Sequence, residues 1–153
     1  KSFNKYKNIF KGIDNVIQAT QKEENIHALF GAYLVKLIKK DHPEWFNEEF
    51  YEKIERACKK AYLAELKIID WIFEKGELEF IKKELIIEFI KDRFNQSMKM
   101  IDCKELFEVD RELLKEIEWF NLENMSETHT DFFNKTPINY NKKSMSIEAE
   151  DLF

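Results

Sequence analysis

Glu24 and His27 are the residues in this sequence best placed to do chemistry. They stand three apart in the run QKEENIHALFGAYL, so a helix brings a carboxylate and an imidazole to one side, a turn apart. Helix-borne Glu-x-x-His is the unit from which di-iron and di-manganese carboxylate bundles build their sites. Two helices each supply one such pair, and two more each supply a lone carboxylate. Carboxylate oxygen and imidazole nitrogen suit iron or manganese. The plain alternative is a Glu–His ion pair that holds no metal, and the four-residue motif leaves both open.

Helical geometry sharpens the choice. At 3.6 residues per turn, Ile13, Val16, Ile17, Thr20, Ala28, Gly31, Leu34, Val35 and Ile38 share one face, and Glu24 and His27 fall inside that arc. Lys22, Asn25 and Lys36 point the other way. The expectation is a carboxylate and an imidazole in the middle of a buried stripe. An unpaired carboxylate there costs on the order of several kcal/mol, so it needs a partner, and a metal is an economical one. Small Ala28 and Gly31 would let a second helix approach closely.

The ligand set is incomplete. No second Glu-x-x-His exists, because neither His42 nor His129 has a Glu three residues before it. His42, between Asp41 and Pro43, reads as a helix-end residue, and His129 lies in a segment without helical period. The sequence is therefore expected not to close a dinuclear site by itself. Cys58 and Cys103 make no disulfide framework and read as structural thiols in a reducing, cytoplasmic setting.

The elements that must hold the pair are long helices. With 3 Gly and 2 Pro in 153 residues there is little to interrupt them. One is expected from about Ile9 to Lys40, a second from about Asn47, as N-cap, to Glu74 before Gly76, and a third from about Leu78 to Ile101. A short one is expected over Arg111–Glu118. From about Asn121 the period is lost, and NKTPINYNKKSMSIEAEDLF reads as a polar tail with an apolar tip. The organisation is thus all-α, with residues 1–120 as helices of a bundle and 121–153 as a flexible tail. A net charge of −5 with no basic stripe argues against nucleic acid, and no apolar run is long enough to span a bilayer.

The run QKEENIHALFGAYL resembles the second metal-ligand helix of class I ribonucleotide reductase small subunits, whose usual form is Arg-Asp-Glu-x-x-His followed by a small or apolar run. Glu24 and His27 match the ligands, while Lys22 and Glu23 stand where the family has Arg and Asp, with charge signs kept. AELKIIDWIFEKG resembles the family's next long helix, and IIEFIKDRFNQSMKMIDCKELFEV its segment with a helical Asn, here Asn95. The family pattern Asn-Phe-Phe-Glu-Lys-Arg-Val-x-Glu-Tyr aligns without gaps to Asp131–Tyr140: Phe132, Phe133, Lys135 and Tyr140 match, and Asn134 and Asn139 replace two glutamates.

The resemblance implies a ferritin-like helical bundle with an extended C-terminal tail, and a dinuclear iron or manganese cofactor of which Glu24 and His27 are part. It implies that Glu23 supports a ligand by hydrogen bonding and that Tyr140 relays a radical to the large subunit. In ribonucleoside-diphosphate reductases that oxidising equivalent drives reduction of ribonucleotides to deoxyribonucleotides. The small subunit is expected to dimerise, and Ile147, Leu152 and Phe153 in the acidic tail are expected to dock on the large subunit. The remaining ligands and the radical tyrosine lie upstream in the family. A chain opening at Lys1 is therefore expected to be the C-terminal half, its N-terminal half supplied by the same or a separate chain. Two other readings compete. One is a self-contained homodimeric oxidase or iron-storage bundle, with Glu65 or Glu88 as the lone carboxylate; the other is a non-catalytic helical module with Glu24 and His27 merely paired.

Overall fold

The computed structural model describes residues 1–120. They form α1 (Ser2–Lys7), α2 (Lys11–Asp41), α3 (Glu48–Ile72), α4 (Lys83–Met100) and α5 (Arg111–Glu116), with a 3-10 turn at Pro43–Trp45 between α2 and α3. Among the described residues there is no strand, only an isolated bridge between Leu78 and Ile81. The all-α expectation holds.

The helix ends show where local chemistry was readable. Asn47 is the N-cap of α3, its side chain accepting the Phe50 N–H at 3.0 Å. Ion pairs one turn apart, Glu49–Lys53, Glu52–Arg56 and Glu55–Lys59, line the exposed side of α3. With both partners solvated, each supports the helix only weakly. The third helix starts five residues later than expected. Residues 78–81 close a tight turn, and Glu77 reaches forward to accept the Lys83 N–H at 3.1 Å, capping α4 there. At the other extreme the first expected helix is preceded by a separate short one. Asn8 and Phe10, both left-handed (φ 55° and 61°), break the path between α1 and α2.

The core is small and sits at one end. Ile81, Leu85 and Ile117 are buried together, with Phe80, Phe89, Leu113 and Phe120 packed round them, so α4, α5 and the turn before α4 form one unit. Tyr62 of α3 joins it through an aromatic triad with Phe94 of α4 and Phe107 of the following loop, at centroid distances of 4.4–6.0 Å. Ile69 of α3 is also buried. Helix α1 lays Phe3 and Tyr6 on Phe80, and Tyr6 on Trp119.

A polar ladder on α4 fixes the loop between α4 and α5. Asn95, 1% exposed, donates to the Phe107 carbonyl at 2.8 Å and accepts the N–H groups of Leu106 and Phe107 at 2.9 and 3.1 Å. One turn earlier Asp92 meets Arg111, and one turn before that Glu88 accepts the Asp110 N–H at 2.8 Å. Asp110 in turn caps α5 through the N–H groups of Glu112 and Leu113.

Helix α2 is the exception to this packing. Its covered side carries Asp14, Gln18, Gln21, Ala32 and Lys39, and of the expected stripe Val35 is half-buried, while Ile13, Val16, Ile17, Leu34 and Ile38 are exposed. The buried stripe expected from the wheel is therefore largely bare in this chain. The periodicity is right, but among the described residues only the N-terminal end of that face meets another element, where Ile13 and Ile17 share a pocket with Phe3 and Asn4 of α1.

Candidate metal centre

Glu24 and His27 sit near the middle of the 31-residue α2, on the bare face. The unbroken helix sets their spacing, and His27 Nδ1 lies 3.5 Å from Glu24 Oε2. That distance allows an ion pair only when the imidazole is protonated. The side chains are 69% and 72% exposed for Glu24 and His27, which corrects the expectation of burial. A solvated carboxylate needs no partner, so in this chain the two side chains are an open arm rather than a satisfied buried pair. Apolar neighbours flank it on α2, with Ala28 and Gly31 beside it. No atom lies within 4 Å of where a Gly31 side chain would start, so there is open space for a second helix.

The arm fits part of a dinuclear centre and no more. Its donors are of the right kind, one carboxylate and one imidazole on one face. Among the described residues no group of three or more His, Cys, Asp or Glu side chains comes together. Glu23, one residue before the ligand, is exposed on the flank of the arm.

The other candidates have other work. Glu88, a possible lone carboxylate, is buried with Oε1 on Lys91 at 2.7 Å and Oε2 on the Asp110 N–H. His42 ends α2, its ring stacked on Trp45 at 4.1 Å and its Nδ1 3.4 Å from Glu44, as befits a helix-end residue. Cys58 and Cys103 are half-buried, and burial pushes both thiols up, away from the reactive thiolate. Tyr140, Ile147, Leu152, Phe153 and His129 lie outside the described residues.

Sequence reasoning missed two features. The Glu88–Asp92–Asn95 ladder was visible only as polar residues at i, i+4 and i+7 on an otherwise apolar helix. The second was Ile26, Leu29, Phe30, Tyr33 and Leu37, a further exposed apolar stripe on α2.

The family model described as ribonucleotide reductase, small chain, matches residues 2–113. No curated protein matches the chain. The match spans the Glu24–His27 arm, the α4 ladder and the whole of α2 to α4, and the chain belongs to the ribonucleotide reductase small-chain family. The family's fold is a ferritin-like helical one, in keeping with the order of helices here.

Proposed function

We propose that this chain supplies the second Glu-x-x-His arm of the dimetal centre in a ribonucleoside-diphosphate reductase small subunit. The observation that carries the reading is the placement of Glu24 and His27 on one bare apolar face of a long helix. Such a face is stable in water only when other helices cover it, and covering it buries the two ligands. The sequence holds no second Glu-x-x-His, so the covering helices, with the rest of the ligands, belong to an N-terminal half on the same or a separate chain.

When bound, a dinuclear iron or manganese centre supplies the oxidant, made with oxygen, on which ribonucleotide reduction draws. The chain's own residues do the rest. Glu24 and His27 each offer a metal one donor atom, and the rigid helix holds their spacing. Glu23 steadies a ligand by hydrogen bonding, and the apolar residues around the arm exclude water once covered. Tyr140 passes the oxidising equivalent towards the large subunit, on which Ile147, Leu152 and Phe153 dock. The assembled small subunit is a homodimer working in the cytoplasm. No helix among the described residues is long and apolar enough to cross a membrane.

The test is metal content of the small subunit purified with its N-terminal half. The wild type retains iron or manganese, and His27→Ala and Glu24→Ala lower its affinity by at least about tenfold. Retention of metal by both variants at wild-type affinity refutes the assignment. Metal bound tightly by this chain alone points instead to a self-contained homodimeric oxidase or storage protein.

A further inference from the structure

The stripe of α2 that carries the ligand arm also holds a hydroxyl, that of Thr20, among residues that are otherwise aliphatic or glycine. Seen down the helix axis, Thr20 falls between the two ligands, about 40° from Glu24 and about 20° from His27. It stands one turn before Glu24. Helix side chains lean back towards the N-terminus, so a glutamate reaches over the residue four before it. For Glu24 that residue is Thr20. The donor atoms that already face each other are Glu24 Oε2 and His27 Nδ1, 3.5 Å apart, so Oε1 is the oxygen left for a hydrogen bond.

The hydroxyl is available to make it. In α4, Ser97 donates to the Arg93 carbonyl one turn back, at 3.0 Å. Thr20 is exposed and donates to no protein atom among the described residues. Once the helices that complete the site cover this face, the hydroxyl is buried and must find an acceptor. Two lie within its reach along the helix. One is the Val16 carbonyl, the usual local choice of a helical threonine. The other is the Glu24 carboxylate, whose charge makes it roughly twice as strong an acceptor.

We infer that Thr20 is a positioning residue for the metal arm, its hydroxyl donating to the Glu24 oxygen that the metal does not take. The bond holds the carboxylate in one orientation and keeps it from turning both oxygens to the metal. The inference rests on the dimetal reading above and adds to it a residue of this chain that ligates nothing.

Metal dissociation constants of the small subunit purified with its N-terminal half, measured by competition with a chelator, test it. Thr20→Val removes the hydroxyl, keeps the branched shape and weakens metal binding by about tenfold. Thr20→Ser keeps the hydroxyl and stays within about threefold of wild type. Wild-type affinity in Thr20→Val, where Glu24→Ala is weakened, overturns the role of Thr20 and leaves the arm standing. A Thr20→Ser variant as weak as Thr20→Val also overturns it, because the loss then comes from packing. Metal held at wild-type affinity by Glu24→Ala, or no metal retained by the wild type, overturns both.

Discussion

Replacing Asn95 by Ala removes one side chain and three hydrogen bonds. The lost bonds are those from the Leu106 and Phe107 N–H groups, at 2.9 and 3.1 Å, and the one to the Phe107 carbonyl, at 2.8 Å. Asn95 is 1% exposed, so little water reaches its place, and the freed backbone groups lose their partners. At roughly 1 kcal/mol net for each bond, the segment between α4 and α5 loses about 3 kcal/mol. The loss is local. Leu106 and Phe107 should therefore exchange their amide hydrogens about two orders of magnitude faster, while the amides of α3 change far less. Asn95→Asp separates the terms: a carboxylate still accepts both N–H groups, but it cannot donate to the Phe107 carbonyl. In that variant the two amides stay protected although overall stability falls. Hydrogen exchange read residue by residue decides the matter. Wild-type protection of Leu106 and Phe107 in Asn95→Ala would refute the account of the ladder.

Two further expectations concern α1 and α2. The Asn4 side chain, donating at 2.6 Å, holds the Asp14 carboxyl below its ordinary value, against the opposing effect of burial and with help from Gln18. A lowered carboxylate contributes stability that is complete above the ordinary aspartate value of about 3.9 and fades as pH falls through the lowered one. The gap in thermal midpoint between wild type and Asp14→Asn should hold steady above about pH 5 and shrink in acid below about 3.9; a gap unchanged down to about pH 2 would contradict this. Glu24→Ala and His27→Ala, by contrast, should shift the stability of this chain on its own by no more than about 0.5 kcal/mol, since both side chains are largely exposed. Urea titration with a loss of about 2 kcal/mol or more would instead reveal a buried structural pair.

The sequence by itself settled what depends on neighbours along the chain. The long helices, the Asn47 cap, the spacing of Glu24 and His27 and the helix-end role of His42 all follow from capping and periodicity within a few residues. It also carried the family, through motifs in a fixed order. What it misjudged was set across the fold. Periodicity reports that a face is apolar, not that anything lies against it, so the stripe carrying Glu24 and His27 was expected buried and is largely bare. The start of α4 depended on the turn at 78–81 and the reach of Glu77, and the break before α2 on the left-handed Asn8 and Phe10. The ladder on α4 had no meaning until Leu106, Phe107 and Asp110 were brought against it. Hydrogen-bond partners 11 to 22 residues away are a property of the packed chain. Only the tertiary structure could assign Glu88 to the Asp110 N–H and leave Glu24 facing water, because burial and partnership are decided by what other elements bring into reach.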